Sequence, residues 1–537
     1  MPPHPYRLKQ GMHPLGSGLL LAFALLIHGG RALAQDRADF AVDEHHIVYH
    51  DVKTDAGGGI VPWYSDSPAV AYDHDLRLVW NFWKNMRSGP SGVPYYLVHQ
   101  VWMEHQDDPR GLGGDQINMA LDSWNLLYGY LGDPSIQQNM ILMADYWLDH
   151  GMSSPDVTWA NLPYSYNIDT YSGQYDGDMR AGKGYLQPDK AGSFGAELVM
   201  LYKITGNRRY LDAAIKIANT LTDRVTPGDA SHSPWPFRVN AETGKVSERI
   251  AADPRDGTLY IAEYTSNWTP TLTLLSDLES LHEGQVQKYR DTARTVLAWL
   301  KTYPLATNKW GPFFEDVATY SDTEINADTL AAYLLNHPEE DPESQQHARA
   351  ILGWVEHNLG NHSFEKIHVL PIDEQTAYHV PGNSHTSRHA SVELLYCEKT
   401  GDCSEKEQAV RRLNWATYSV NEEGKNRYPY DDIWLTDGYG DYVRHYLRSM
   451  ASAPELAPED QNHLLQCSSA IQHIQYSPDQ ITYRKFDAQS VERLKLGSAS
   501  PKSVTGGTMS WDEKQKILTI HAAANEVKIL MQPNTAR

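Results

Sequence analysis

One phrase recurs in this chain and restricts what it can fold into. Leu127-Tyr-Gly-Tyr-Leu-Gly-Asp133 returns as Leu201-Tyr-Lys-Ile-Thr-Gly-Asn207 and as Leu395-Tyr-Cys-Glu-Lys-Thr-Gly-Asp402. Each copy closes an amphipathic stretch with Gly at the helix-terminating position, where a positive φ costs it nothing. A second helical pattern begins within a few residues of each, over 139–148, 209–222 and 405–418. Helix, tight Gly turn, helix is an αα-hairpin, and few architectures are built by repeating it.

The intervals set the count. Asn207 follows Asp133 by 74 residues and Asp402 follows Asn207 by 195, room for roughly three further units of about 65. Helical patterns at 268–283 with 288–303, and at 326–336 with 344–358, fill that room. A helix opens near Asp66-Ser-Pro-Ala, with a capping residue and Pro just inside its start, and a last one covers 437–453. About six hairpins therefore occupy 66–455. A closed ring is preferred to an open superhelix, because the connecting loops are long, aromatic and charged, which suits the rim of one concave mouth. The expected fold class is mainly α, an (α/α)6 barrel of helical hairpins with a small C-terminal β module.

The ends of the chain read differently. Arg7 and Lys9, the apolar run from Leu19 to Ile27, and Ala32-Leu33-Ala34 before Gln35 have the order of a cleaved signal peptide over residues 1–34. That run is shorter than the roughly 20 residues a membrane span needs. The toroid is expected over 35–455. From 456 to 537, stretches such as Ile481-Thr-Tyr-Arg-Lys-Phe and Lys516-Ile-Leu-Thr-Ile-His alternate apolar and polar residues, as short strands do. Four to six strands are expected. Of three cysteines, Cys397 and Cys403 bracket a five-residue loop that a disulfide would close, leaving Cys467 unpaired. A secreted or periplasmic protein without stable membrane insertion is expected.

The most unusual stretch is 159–197. It carries Asp169, Asp176, Asp178 and Asp189 beside Arg180, Lys183 and Lys190, interleaved with Trp159, Tyr175 and glycines. A plain connection needs no such set, and long ordered loops of this kind are usually functional. Aromatic faces with charged and amide groups between them suit sugar rings, which offer C–H faces and hydroxyl edges. The bland reading is a surface loop of ion pairs. The bias towards Tyr (32) and Trp (15) over Phe (9) fits rings with one end packed and one end wet. A net charge of −22 excludes the basic footprint of a nucleic-acid binder.

A signal segment, six αα-hairpins with Gly-Asp/Asn turns, and aromatic rim loops together resemble the six-hairpin glycosidase superfamily. The pattern is also similar to polysaccharide lyases that join such a toroid to a C-terminal β module. The resemblance covers about residues 66–455 and matches no single family's catalytic signature. It implies carbohydrate chemistry at the barrel mouth.

Hydrolysis of a glycosidic bond needs one protonated carboxyl and one ionised carboxylate. The pair is drawn from Asp178, Glu374, Asp432 and Asp437, all in loop-like contexts, where the bland reading is that most such carboxylates cap helices. A second constellation, from Glu374 through Tyr378, His379, Asn383, His385 and Arg388 to His389, fits proton abstraction beside a uronic carboxylate. There Tyr378 or His385 would be base and acid, while Asn383 or Arg388 neutralises the carboxylate. Its bland reading is a hydrogen-bonded helix start with neutral buried His. Arg180 and Lys183 would hold an anionic sugar, with Trp159 and Tyr175 as stacking faces. No metal or cofactor is implied, since no spacing fits a metal loop and no phosphate cradle follows a strand. The leading expectation is an exported glycoside hydrolase acting on a poly- or oligosaccharide. The alternatives are a polysaccharide lyase on a uronic-acid polymer and a non-catalytic glycan-binding helical protein. The enzyme assignment requires the stretches 159–197, 311–324, 374–388 and 428–441 to meet in one bowl.

Overall fold

A computed structural model describes residues 41–89, 92–104, 114–165, 183–250, 259–313, 321–430, 432–497 and 499–533, with the backbone alone for 114–116, 249–250, 259–260, Tyr378, Asp437 and 533. The segment read as a signal peptide lies outside these residues.

Among the described residues, twelve helices of eleven residues or more alternate between an outer and an inner layer. They are α1 (Pro68–Lys84), α2 (Gly114–Leu131), α3 (Pro134–His150), α4 (Pro188–Thr205), α5 (Arg208–Thr222), α6 (Thr269–Ser280), α7 (Val286–Thr302), α8 (Glu324–Asn336), α9 (Ser344–Leu359), α10 (Asn383–Thr400), α11 (Lys406–Thr417) and α12 (Tyr442–Ser452). The even-numbered helices pack side by side in a ring, α2 to α4 and onward to α12, which returns to α2. Each odd-numbered helix backs one or two of them. The result is an (α/α)6 toroid.

The burial pattern assigns the layers. In α5 the buried residues Tyr210, Leu211, Ala214, Ile217, Ala218 and Leu221 form one stripe, as an outer helix requires. In α4 burial runs round the helix through Asp189, Lys190, Gly192, Ser193, Gly195 and Leu198. Polar groups there must find partners or face a cavity. The recurring Gly turns behave as read: Gly132, Gly206 and Gly401 have φ of 69°, 71° and 80°. After the first two, the Asp133 and Asn207 side chains accept the N–H groups of Ser135 and Arg209, capping the next helix. Cys397 and Cys403 form a disulfide around the third.

A π-helix, Leu435–Asp441, runs directly into α12, so Asp437 lies inside a helical segment rather than ahead of it. A Cβ on Gly440 would stand 2.9 Å from the Ala120 Cα, so the wide turn and the missing side chain let α12 close against α2.

The described residues of the C-terminal part contain eight strands rather than four to six: β1 (His463–Cys467), β2 (Ile471–Tyr476), β3 (Gln480–Lys485), β4 (Gln489–Lys495), β5 (Ala499–Thr505), β6 (Gly507–Asp512), β7 (Ile517–Ala523) and β8 (Glu526–Pro533). They form two antiparallel sheets, ordered β2-β3-β8-β5 and β6-β7-β4-β1. The edge strands β5 and β6 are short of apolar residues and nearly all half-buried or exposed, which hid them from a reading by alternation. The sheets sit under the C-terminal ends of the inner helices. His463 stacks on Tyr130 at 3.9 Å, the Tyr476 hydroxyl donates to the Gly129 carbonyl at 2.5 Å, and Gln472 Nε2 to that of Lys203 at 2.9 Å.

Candidate functional site

The N-terminal ends of the inner helices share one end of the toroid, and the described parts of the expected segments link around it. Lys190 donates to the Phe313 carbonyl at 2.9 Å and lies 3.3 Å from that ring's centroid. Residue 323 bridges to 375, and Ser321 Oγ donates to Gln375 Oε1 at 2.6 Å. The Tyr428 hydroxyl donates to Glu374 Oε2 at 3.0 Å, and Gln375 Nε2 to Glu374 Oε1 at 2.7 Å. Stretches far apart in sequence thus form one mouth.

Its floor is a buried charge network. His385 Nδ1 lies 2.7 Å from Glu324 Oε2, and Arg388 donates to that oxygen at 2.8 Å. The other arm of Arg388 pairs with Asp441, which also takes Arg444 at 2.7 Å and His445 at 3.0 Å. Burial raises the Asp441 carboxyl, but Arg388 and Arg444 outweigh it and hold the group well below the usual range. Burial pushes Asp328 up to about 7, and its Oδ2 lies 2.9 Å from His389 Nδ1. On the opposite wall Asp189 takes Lys190 at 2.7 Å and Asn267 at 2.8 Å.

Below the mouth an axial lumen of about 520 Å³ runs between the inner helices towards β1. Phe313, Met119 and Ile325 form an apolar collar at its upper end. Its wall carries Asp122 of α2, Glu197 of α4, Asp328, and the arginines 388, 444 and 448. Arg444 and Arg448 grip Asp122 at 3.0 and 2.5 Å. Burial and the neighbouring Asp122 charge push Glu197 well above the ordinary carboxylate range. Two carboxyls in one chamber, in environments this different, can divide acid and base roles.

The structure separates the residues expected from sequence into several groups. Asp178, Arg180 and Tyr175 lie outside the described residues. Glu374, His385, Arg388 and Asn383 are buried at the mouth, Asn383 donating to Asn426 at 2.6 Å. Tyr378 belongs to a two-stranded ribbon beside Glu374, and Asp437 to the π-helix. Asp432 is half-buried on the rim, its carbonyl 3.3 Å from the Tyr428 N–H. Lys183 is exposed, while Trp159 is buried with the Arg224 guanidinium 5.3 Å from its ring, which removes it as an open stacking face. Sequence reading missed Asp122, Glu197, Glu324, Asp328, Asp441 and Arg444. Their signal was charge at helical spacing on faces that pack inward.

The described His and acidic residues bring one metal-like trio together, Glu356, His389 and Glu393, with ligand atoms within 4.8 Å of one another. The Arg412 guanidinium bonds both carboxylates and supplies the positive charge there. Among the described residues no helix is long and apolar enough to cross a membrane.

No protein-family model and no curated protein matches the sequence. Solved structures do match the shape. Cellobiose 2-epimerase from Spirochaeta thermophila superposes with a TM-score of 0.51 at 13% identity, over 72% of this chain and 96% of that one. A D-mannose isomerase gives 0.50 at 10%, over 72% and 97%. Cellobiose 2-epimerase from Bacillus thermoamylovorans gives 0.50 at 14%, over 70% and 98%. The fold is a toroid of helical hairpins. More narrowly, it is the (α/α)6 toroid, the shape these solved structures share.

Proposed function

We propose that this chain is a carbohydrate-active enzyme, a glycoside hydrolase that draws a sugar through the mouth into the lumen. Glu197 is its general acid, and Asp122, paired with Arg444 and Arg448, its base or nucleophile. The observation that carries this reading is the pairing of a burial-raised carboxyl with an arginine-bound one on the wall of a single chamber. The apolar collar suits a sugar's C–H face, and the amides of Asn118 and Asn267 suit its hydroxyl edge.

A second reading rests on His385. A histidine oriented by a buried carboxylate, with its ring edge-on to Tyr428 at 6.2 Å, fits proton abstraction from a sugar carbon, as in β-elimination or epimerisation. Export is part of the proposal: the basic start, apolar run and Ala-Leu-Ala motif support it, and a disulfide fits an oxidising compartment.

Incubating the purified protein with neutral oligosaccharides and with polyuronides in deuterated water separates the readings. New reducing ends that vanish in Glu197→Gln support hydrolysis. Ultraviolet absorbance from an unsaturated sugar, or deuterium on an uncleaved ring carbon, moves the assignment to His385. Sugar binding without turnover overturns both.

A further inference from the structure

Glu324 and Asp328 stand four residues apart on one face of α8, both fully buried. Their outer oxygens are satisfied: Glu324 Oε2 by His385 and Arg388, and Asp328 Oδ2 by His389. Their inner oxygens, Glu324 Oε1 and Asp328 Oδ1, have no donor among the described residues. Residues four apart on a helix face are neighbours, and each of these carboxyls acts on the other. Two ionised carboxylates in contact inside a protein repel strongly, and each orphan oxygen costs desolvation energy. One proton between them removes both penalties.

We propose that Glu324 and Asp328 share a single proton through their unpartnered oxygens, so that His385, Glu324 and Asp328 form a proton relay from the mouth to the lumen, with His389 holding Asp328 in place. With that proton in place, both imidazoles donate Nδ1–H to an outer carboxylate oxygen. A proton taken up at His385 Nε2 leaves through Nδ1 to Glu324 Oε2. Glu324 then passes its Oε1 proton to Asp328, and Asp328 releases one to the lumen it lines. The proton count of the tetrad is unchanged. The pair's single negative charge faces Arg388 and His389 from α10, with Asp441 beyond Arg388. Deeper, Glu393 lies 3.7 Å from His389 Nε2 and joins Glu356 on Arg412. The raised range of Asp328, at about 7, agrees with a carboxyl that keeps a proton near neutrality.

What the relay serves rests on the sugar-enzyme reading; the shared proton itself does not. Infrared spectroscopy of the purified protein without substrate tests it, by the deuterium-sensitive C=O stretch of a protonated carboxyl at neutral pH. Subtracting the spectrum of Glu324→Gln, and separately that of Asp328→Asn, from wild type is expected to yield the same single band. The inference is overturned if wild type has no such band at neutral pH, or if neither folded variant removes one. Glu197 is expected to carry a proton of its own, so where neither variant folds the Glu197→Gln protein decides: without any remaining band there, the shared proton is overturned. A band that is lost in Glu197→Gln but kept in both other variants overturns the shared proton and leaves the enzyme reading untouched.

Discussion

Arg388 of α10 and Glu324 of α8, 64 residues apart in sequence, meet at 2.8 Å with both side chains out of water. The same guanidinium holds Asp441 at the start of α12, so one side chain ties three consecutive inner helices at the mouth. Its stability role differs from its chemical one, because a buried ion pair is weak evidence for stability until one partner is removed.

Arg388→Met removes that partner. Glu324 and Asp441 then stay buried with less compensation, and the expected loss is about 3–5 kcal/mol of unfolding free energy. Arg388→Lys should recover little, since an ammonium lacks the planar fork that reaches two carboxylates. Denaturant melts of the three proteins check this; a loss near zero for the Met variant would mean that water already reaches the pair.

Glu197→Gln is expected to lower kcat about 10²–10⁴-fold on ordinary glycosides and much less on aryl glycosides with good leaving groups, which need little protonation. Asp122→Asn should slow both substrates alike. Burial raises Glu197, so wild-type activity falls as pH rises through its folded pKa, and that alkaline limb should vanish in Glu197→Gln. Equal losses on both substrates in Glu197→Gln would remove it as the acid.

Asp328 ties stability to pH. The folded chain keeps its proton to about 7, whereas the unfolded chain releases it near the ordinary 3.8. Between those values the folded state binds more protons, so stability declines as pH rises, by at most about 1.4 kcal/mol per pH unit from this group. Unfolding free energies measured across that window should show a shallower decline in Asp328→Asn. An unchanged slope would place the titration elsewhere.

Gly192→Ala addresses the ring itself. A Cβ there would fall 1.9 Å from Thr271 Oγ1 and 3.0 Å from the Thr271 Cα, so α4 and α6 must separate. A loss of about 1–3 kcal/mol is expected from overpacking. A thermal melt matching wild type would show that the Thr271 rotamer absorbs the methyl group.

The hairpins were readable because each turn carries its own local chemistry: Gly132, Gly206 and Gly401 at positive φ, then Asp133 or Asn207 capping the second helix of the pair. The mouth was half readable. Glu374, His385, Arg388 and Asn383 stood out because they crowd into one short stretch. Asp122, Glu197, Glu324 and Asp328 did not, because each is a single charge within a helix and its partner comes from another hairpin. The runs Glu324/Asp328 and His385/His389/Glu393 do repeat every four residues, the stripe of a helix face. A charged stripe ordinarily means solvent, and only the closed ring turns these inward.

Ring closure also has a temporal side. The wall is sealed where α12 meets α2 and where Tyr72 of α1 reaches Asn414 and Tyr446 near the other end of the barrel sequence. A ribosome delivering the chain from its first residue therefore exposes an unfinished seam until the last hairpin emerges. During that interval the sticky inner faces of the earliest helices have only one neighbour each, and synthesis rate or a chaperone becomes part of how the barrel is made.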